Sequence, residues 1–504
     1  MAWSTEPAAK PRQEAGQLLT PALLRQQGRD LAAPFLLRLG EGAPARVLVC
    51  EDVLRWLPGR RAVLRVRDER LGVVVAKVYL RDAAAAMAAE RAGLAALASA
   101  GFAVPALLDE VRPDEGCGVQ FLRLIAPAQS LAESWQRQDD NTRASRLGEL
   151  GAGLARLHEA GARARDPHLG NFLLHEGVLH ALDGGGIALR REAGGVRARC
   201  ADLALLHAQL PPDDDVWAAA TLVAYARACA RSPQGMLPTL PALLAGIARA
   251  RTRRMRIVLS KSLRDCSEFA VTREARGRTS CRRALAGTLR AVLADADAAI
   301  AAGVVLKAGN TATVARIDAG GGLCVVCKRY NIKGPLHRLS RWLRPTRAEH
   351  SWLAAHRLAA LGIATAEPLA LRVERLGPLR GRAFLFLRDV QGPTLAALVD
   401  ETRAAGGTLP AALQARVARL VVRLHAAGLV HGDLKASNLL LENDEPVLVD
   451  LDALVHLGPG VRRNRLQARD RARFLANWPV GTERDGWAAA LDAAAAGWAA
   501  RGRA

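Results

Sequence analysis

Two stretches of this 504-residue chain repeat the same sparse pattern of polar residues, and no other sequence feature constrains the fold as much. The first stretch runs from Arg156 to Asp183 and the second from Arg423 to Asp450, 267 positions later. In each stretch an Asn follows an Asp by five residues, and a second Asp follows the Asn by twelve. A repeat that keeps its polar residues predicts a duplicated domain that carries a duplicated site.

The length and composition predict a globular protein of two or three domains, since 504 residues exceed a single core and half of them are apolar. The formal net charge of +22 predicts attraction to an anionic partner. Eight widely spaced cysteines are typical of a reducing compartment. The first residues lack a signal peptide's apolar core, and no apolar stretch reaches the ~18–20 residues of a membrane span. We therefore expect a cytoplasmic protein.

Both halves show the same predicted order of elements. In the N-terminal half, residues 46–80 alternate as three strands with a turn at Pro58-Gly59, and an Ala-rich helix follows at about 83–98. Strands are predicted within 103–124, and helices dominate from about residue 142.

The C-terminal half repeats this order, with three short strands in 304–331, a helix at about 348–361, strands in 367–387 and helices from about residue 410. We expect a flexible tail at 1–20, an N-terminal domain at 21–245 and a C-terminal domain at 301–504. Residues 246–300 are predicted to form a basic helical linker that begins the second domain, with one helix over 284–302.

The second repeat has the groups that phosphoryl transfer from ATP requires. Asp433, in a loop after a helix, suits a general base that deprotonates an acceptor hydroxyl. Asn438 and Asp450 supply oxygen ligands of the kind that Mg²⁺ prefers. Lys435 would neutralise the transferring phosphoryl group.

The segments HGDLKASN and Asp450-Leu451-Asp452 resemble the catalytic loop and metal-binding motif of the protein-kinase-like superfamily. The resemblance implies an α+β chain of two tandem bilobal kinase-like domains, each with an antiparallel-sheet N-lobe plus one helix and a mainly helical C-lobe. It also implies that Lys328 holds the ATP phosphates and that Glu349 on the next helix fixes Lys328. Asp470 resembles the buried helix Asp that braces the catalytic loop in this superfamily; an exposed helix charge is the alternative. The turn in LKAGNTATV would bind nucleotide through its single glycine, Gly309.

The N-terminal copy carries the same set of residue types, and the resemblance assigns them the same parts: Lys77, Glu90, Asp166, Asn171 and Asp183. Two neighbouring positions differ, because Ala164 stands in place of His431 and His168 in place of Lys435. Asp202 is the expected counterpart of Asp470. We predict that this copy keeps its activity; a decayed pseudokinase that regulates its partner is the alternative.

The C-terminal half most resembles the bacterial lipopolysaccharide core kinases, through LKAGNTATV, KRYN, the basic stretch RLSRWLRPTRAEHSW, HGDLKASN and VDLD. This resemblance implies that ATP and Mg²⁺ are used to phosphorylate a heptose or Kdo hydroxyl of a lipopolysaccharide core precursor. The site of action would be the cytoplasmic face of the inner membrane. Arg338, Arg341 and Arg344 are spaced to give a predicted helix a cationic side for anionic lipid or sugar phosphates.

Two alternatives stay open. One is a protein Ser/Thr kinase or a small-molecule kinase of the aminoglycoside type, although the short segment from Asp452 to Asp470 disfavours peptide substrates. The other is a non-catalytic scaffold for envelope-biosynthesis enzymes. Nucleic acid is not an expected partner, because 3 Tyr, 8 Phe and 9 Trp offer few stacking platforms. The sequence leaves the oligomeric state open.

Overall fold

A computed structural model of the chain describes residues 17–40, 45–114, 116–189, 195–229, 237–331, 346–376 and 379–501. The chain forms two compact units. The N-terminal unit comprises Met1–Leu210 and Trp217–Thr252, and the C-terminal unit comprises Pro211–Val216 and Arg253–Ala504. Most of the expected tail at 1–20 lies outside the described residues. So does the basic stretch with Arg338, Arg341 and Arg344.

The strands of the N-terminal unit are β1 (Leu18–Leu19), β2 (Phe35–Leu39), β3 (Arg46–Leu57), β4 (Arg61–Asp68), β5 (Gly72–Tyr79), β6 (Leu107–Asp114), β7 (Cys117–Arg123), β8 (Gln129–Ser130), β9 (Ala162–Ala164), β10 (Phe172–His175), β11 (Val178–Ala181) and β12 (Ile187–Leu189). Those of the C-terminal unit are β13 (Phe269–Glu274), β14 (Gly277–Arg282), β15 (Val304–Ala308), β16 (Ala312–Asp318), β17 (Cys324–Tyr330), β18 (Pro368–Leu376), β19 (Leu379–Arg388), β20 (Leu429–Val430), β21 (Leu439–Glu442), β22 (Glu445–Leu448) and β23 (Val455–His456).

The α-helices, in chain order, are α1 (Pro21–Gln26), α2 (Ala83–Ser99), α3 (Leu131–Ser134), α4 (Asp140–Glu159), α5 (Val196–His207), α6 (Ala218–Ala228), α7 (Leu240–Lys261), α8 (Arg290–Ala294), α9 (Ala296–Ala302), α10 (Arg347–Ala360), α11 (Leu395–Ala404), α12 (Ala411–Ala426), α13 (Val461–Leu475) and α14 (Thr482–Arg501). Among the helices that the structure describes, none is both long enough and apolar enough to cross a membrane.

The N-terminal unit has a seven-stranded sheet with the order β1-β2-β3-β4-β5-β7-β6, in which all neighbours except β1 and β2 are antiparallel. Strand β5 lies inside the sheet, and its last six residues are buried. Its lysine, Lys77, therefore projects from a rigid and largely dry element. Helices α4, α5 and α6 supply much of an apolar core that also includes sheet residues such as Val75, with buried helix residues such as Leu154, Leu203 and Tyr225.

The C-terminal unit has a second seven-stranded antiparallel sheet, with the order β13-β14-β18-β19-β17-β16-β15. Strand β17, which ends in Lys328, Arg329 and Tyr330, is flanked by β16 and β19. Helix α10 packs on β18 and β19. Helices α11, α12 and α14 form the helical lobe around buried Leu424 and Trp487. The α+β class and the two sheet-plus-helices domains are therefore confirmed.

The expected helical linker over 246–300 needs correction. Residues 269–282 form the hairpin of β13 and β14, which extends the sheet of the C-terminal unit by pairing with β18. The single helix expected over 284–302 is also wrong, because α8 ends before Asp295 and α9 begins after it. The Asp295 carboxylate accepts a hydrogen bond from the Ala298 amide at 3.0 Å, so it caps α9 and starts a new helix.

Candidate active site

The catalytic loop of the C-terminal unit gathers its predicted polar residues around Asp433. The Asn438 Nδ2 donates to the Asp433 main-chain oxygen at 2.9 Å and lies 3.3 Å from its carboxylate. The Lys435 ammonium lies 3.2 Å from the Asp433 carboxylate. Arg473, which the sequence analysis did not single out, forms an ion pair with the other carboxylate oxygen. The structure thus brings together an acid, an amide and two cations.

Asp470 of α13 holds this loop in place from below. It is buried, and its carboxylate accepts hydrogen bonds from the His431 and Gly432 amides at 2.6 and 2.9 Å. Removing the acceptor would cost about 1–3 kcal/mol for each buried N–H group left unsatisfied. Gly432 has φ +80, and a Cβ there would lie 2.7 Å from the Ala453 carbonyl oxygen. The bracing role expected for Asp470 is confirmed.

Asp450 is placed by the β21–β22 hairpin and a main-chain tie to Asn438. The Val449 amide, just before Asp450, donates to the Asn438 carbonyl at 3.0 Å. Asp450 has the left-handed backbone conformation, with φ 58 and ψ 63. The two predicted metal ligands are therefore linked through one backbone hydrogen bond.

Lys328 is held by a different acid from the one expected. Its ammonium lies 2.6 Å from the Asp450 carboxylate and 2.9 Å from that of Asp452. Glu349 instead lies in the first turn of α10, where it accepts from the Thr346 amide at 2.8 Å and pairs with Arg278 at 2.7 Å. The expected Lys328–Glu349 pair is therefore corrected: Glu349 is committed to capping its own helix.

Asp452 is the centre of a buried network that the sequence analysis missed. Its Oδ1 accepts from the Tyr330 and Ser351 hydroxyls, both at 2.7 Å. Its Oδ2 lies 2.6 Å from Arg347 as well as close to Lys328. A buried serine on the inner face of α10 and a tyrosine two residues after the lysine were the only sequence signals for this network.

The charges of the site shift several pKa values. Burial alone would raise the pKa of Asp433, but Lys435 and Arg473 outweigh it and hold that pKa below its usual range. Burial also opposes ionisation of Asp452, yet Lys328 and two hydroxyl donors lower its pKa. Both carboxylates therefore stay ionised at neutral pH. Burial lowers the pKa of His431, and the nearby acids only partly offset this shift, so its imidazole is neutral.

The turn between β15 and β16 contains Gly309, the residue predicted to approach nucleotide. The Gly309 amide donates to the Ala312 carbonyl at 3.1 Å. Asn331, three residues after Lys328, donates from Nδ2 to the Gly309 carbonyl and from its amide to the Thr311 carbonyl, both at 3.1 Å. The turn is thus tied to the end of the strand that carries the lysine.

The N-terminal unit forms the lysine–glutamate pair that the sequence predicts. Lys77 and Glu90 are both buried and make a short ion pair, and the Lys77 ammonium also donates to the Leu182 carbonyl at 2.8 Å. The main-chain amides of Gly184 and Gly185 also donate to the two Glu90 oxygens, at 3.1 and 2.9 Å. Glu90 therefore links the lysine to the residues directly after Asp183.

The N-terminal catalytic loop repeats the backbone geometry of the C-terminal one. The Asn171 Nδ2 donates to the Asp166 main-chain oxygen at 3.1 Å, and the Leu182 amide donates to the Asn171 carbonyl at 2.9 Å. In place of Lys435, His168 accepts from the Gly170 amide at 2.9 Å and stabilises the loop itself. The geometry of the loop survives although its lysine does not.

Asp202 occupies the place expected for the counterpart of Asp470 but has different partners. Its carboxylate bonds to His158 at 3.1 Å and to the Arg163 guanidinium at 3.0 Å. His425 lies 3.5 Å from Asp470 but makes no hydrogen bond with it. The matched histidines therefore lie beside corresponding acids, whereas Arg163 takes the place of the loop amides.

Both loops fit a magnesium ion by the chemistry of their donors. Asn438 directs its Nδ2 at Asp433, which leaves its Oδ1 available to a cation. In the N-terminal unit, the Asp183 Oδ1 is shielded from solvent and accepts no hydrogen bond from the described residues, and its ion pair with Arg61 is long, at 3.9 Å. A carboxylate oxygen that accepts no hydrogen bond suits a cation ligand.

Residues 307–485 match the family described as "Lipopolysaccharide kinase (Kdo/WaaP) family", and residues 57–244 match the "Phosphotransferase enzyme family". The structure of WaaP in complex with acyl carrier protein is similar at 21% identity and a TM-score of 0.30, covering 40% of this chain and 83% of that chain. No curated protein matches the chain. Together, the two family matches and the paired catalytic loops identify an ATP-dependent kinase of the protein-kinase-like superfamily with two domains.

Proposed function

We propose that the C-terminal domain transfers the γ-phosphoryl group of ATP to a heptose or Kdo hydroxyl of a lipopolysaccharide core precursor. The observation that carries this proposal is the ionised Asp433 carboxylate with Lys435 and Arg473 on either side. A carboxylate in that position can orient and deprotonate a hydroxyl, and two cations can stabilise charge on a transferring phosphoryl group. The family match of residues 307–485 supports lipopolysaccharide as the acceptor.

The remaining side chains have separate parts in this proposal. Lys328 would bind the α- and β-phosphates, and the Gly309 turn would approach the nucleotide through its backbone. Asn438 and Asp450 would hold Mg²⁺, which bridges phosphate oxygens and neutralises their charge. Asp470 acts through the loop backbone, so it positions Asp433 without touching substrate.

We further propose that the N-terminal domain binds ATP through Lys77, with Asn171 and Asp183 as metal ligands and Asp166 as base. The buried Lys77–Glu90 pair supports this, since a decayed site has no reason to keep a buried charge pair. The match of residues 57–244 to the phosphotransferase family favours a hydroxyl acceptor here as well. A small-molecule acceptor is the second candidate for this domain.

The protein would act at the cytoplasmic face of the inner membrane, where lipopolysaccharide core precursors are exposed. Its net charge of +22 supports contact with an anionic membrane surface. The arginines of the basic stretch around Arg341 would contribute to this contact.

Transfer of label from γ-³²P-ATP tests the proposed acceptor class. The full-length chain is incubated with core oligosaccharide, with a generic protein substrate and with an aminoglycoside. We expect label in the oligosaccharide, and Asp433→Asn should remove it while leaving the circular dichroism spectrum unchanged. Labelled protein or aminoglycoside together with unlabelled oligosaccharide would refute the proposal.

A further inference from the structure

The two lysines of the two sites are held by acids from different elements. Lys77 pairs with Glu90 of helix α2, whereas Lys328 pairs with Asp450 and Asp452, which follow strand β22. Asp450 is already a proposed metal ligand, so it is committed elsewhere once the site is loaded. Asp452 is the acid whose role the proposed function leaves unexplained.

The helix ends fix the correspondence between α2 and α10. Helix α2 has its C-cap at Ala100 and α10 at Leu361, and in both the next residue is a glycine with positive φ, 84 at Gly101 and 67 at Gly362. The amide two residues beyond each C-cap bonds back in the same way, from Phe102 to the Leu97 carbonyl at 3.1 Å and from Ile363 to the Leu358 carbonyl at 2.9 Å. The helices therefore align from their C-terminal ends.

Counted from these ends, Glu90 corresponds to Ser351 and not to Glu349. Glu90 and Ser351 each lie ten residues before their C-cap. Both are buried, and both face the residue that lies two positions after the metal-binding Asp. In the N-terminal unit that residue is Gly185, and in the C-terminal unit it is Asp452.

The polar contacts at the two positions are reciprocal. The Glu90 carboxylate accepts from the Gly185 amide at 2.9 Å and pairs with Lys77. The Asp452 carboxylate accepts from the Ser351 hydroxyl at 2.7 Å and pairs with Lys328 at 2.9 Å. The N-terminal domain thus has its acid, Glu90, on helix α2 and a glycine two residues after the metal-binding Asp. The C-terminal domain has Ser351 on helix α10 and its acid, Asp452, two residues after the metal-binding Asp.

We infer that Asp452 is the positioning residue that holds Lys328 for nucleotide binding, in the part that Glu90 has for Lys77. In the C-terminal domain the acid that pairs with the lysine lies after strand β22 and not on the helix, so helix α10 contributes the neutral Ser351 hydroxyl as a hydrogen-bond donor instead of a charge. The Asp452 carboxylate also accepts from the Tyr330 hydroxyl at 2.7 Å and pairs with the Arg347 guanidinium at 2.6 Å, and both contacts fix its position. This inference rests on the proposed function of Lys328 as a ligand of ATP phosphates.

Nucleotide binding tests the inference without any acceptor. The chain carries Lys77→Met to silence the N-terminal site, and the affinity for Mg²⁺ with the non-hydrolysable analogue AMP-PNP is measured by calorimetry. Asp452→Asn should weaken binding by roughly tenfold, as loss of an orienting partner typically does. Glu349→Gln should lower the melting temperature slightly, because it loses the ion pair with Arg278, but change the affinity by less than about twofold.

A charge exchange separates positioning from mere stability. Asp452→Gly should lose affinity for AMP-PNP, and adding Ser351→Glu should restore most of it, because this double variant recreates the arrangement of Glu90 and Gly185. All variants are first compared by circular dichroism. Folded Asp452→Asn protein with the parent's affinity would overturn the inference, and so would a folded double variant that binds no better than Asp452→Gly alone.

The AMP-PNP measurements test the role of Asp452 separately from the identity of the acceptor that is phosphorylated. If AMP-PNP binding follows these expectations while no lipopolysaccharide core is labelled, the role of Asp452 stands and the proposed acceptor is wrong. If AMP-PNP binds to neither the Lys77→Met chain nor the unmodified chain, both the ATP site and the inference fail.

Discussion

At the scale of single residues, Asp433 is the point on which the loop's charges converge. Lys435 and Arg473 pair with different carboxylate oxygens of Asp433, and Asn438 donates to its main-chain oxygen. The cations keep the carboxylate ionised, and in the proposed function they stabilise charge on the transferring phosphoryl group. We therefore expect Lys435 to stabilise the transition state more than it stabilises bound ATP.

Replacement of Lys435 should accordingly lower kcat more than it raises the KM for ATP. We expect Lys435→Met to reduce kcat by about 10²–10³-fold, the usual effect of removing one stabilising charge from a transition state. The matched control is Lys261→Met, which removes a lysine of α7 that pairs with Glu268 at 3.7 Å. Steady-state kinetics of both variants checks this, and a change confined to KM would contradict it.

One buried histidine in each unit, His207 and His356, is expected to make the stability of that unit depend on pH. Burial, with Arg251 adding to it, lowers the pKa of His207 to about 4, and burial together with Arg282 lowers that of His356 to about 3. The unfolded chain protonates histidine near pH 6.5. Between that pH and the folded pKa the unfolded state binds more protons, so stability falls as the pH falls.

Urea unfolding at pH 7, 6 and 5 measures this dependence. We expect the free energy of unfolding to fall by up to about 1.4 kcal/mol per pH unit for each histidine. His356→Gln should flatten the slope of the C-terminal unit, although it also removes contacts with Trp352. An unchanged slope in His356→Gln would argue against the shifted pKa.

At the scale of elements, helix α13 joins the catalytic loop to a cationic surface. Arg462, Arg465, Arg469 and Arg473 are exposed and recur at spacings of three or four residues, so they lie along one side of the helix. The last of them pairs with Asp433. The stripe therefore leads to the proposed base and suits an acceptor that carries phosphate or carboxylate groups.

Removing the middle of this stripe should weaken acceptor binding selectively. We expect Arg465→Gln with Arg469→Gln to raise the KM for core oligosaccharide by about tenfold, since each charge-assisted contact contributes on the order of 1 kcal/mol, while the KM for ATP stays constant. The charge-matched control is Arg273→Gln with Arg276→Gln, at the exposed β13–β14 hairpin. Equal kinetic effects of the two double variants would rule out a specific acceptor surface.

The elements also show where sequence reasoning succeeds. Strand β5 and helix α2 follow directly from alternation and an Ala-rich run, and Lys77 and Glu90 on them meet as predicted. The predicted Lys328–Glu349 pair was wrong because Glu349, near the start of α10, was aligned with Glu90 without a reference point that fixes how the two helices align. Glu349 is nearer to Lys328 in sequence, but the C-terminal end of the helix sets the alignment, and there Ser351 takes the place of the acid.

At the scale of the whole molecule, the duplication predicts two nucleotide sites in one chain. Each unit has its own sheet, its own lysine strand and its own catalytic loop. The sequence pattern disclosed this duplication because the Asp–Asn–Asp spacing does not depend on the intervening residues. It could not disclose the hairpin of β13 and β14, since short arginine-rich segments carry little periodicity.

Calorimetric titration with Mg²⁺ and AMP-PNP counts these sites. We expect two nucleotides bound per chain, and one in each of the single variants Lys77→Met and Lys328→Met, because each lysine serves only its own unit. The double variant should bind none. A stoichiometry of one that only Lys328→Met abolishes would mean that the N-terminal unit is a pseudokinase.

We expect the site around Asp433 to phosphorylate a sugar of the lipopolysaccharide core, and mass spectrometry of core oligosaccharide is the most direct test. Core from cells that carry Asp433→Ala is compared with core from Asp166→Ala cells and from cells with the unmodified chain. Asp433→Ala cells should lose a phosphate group from one heptose or Kdo residue, and fragmentation identifies that residue. Equal phosphorylation of the core in Asp433→Ala cells and in the parent would show that this site does not phosphorylate it.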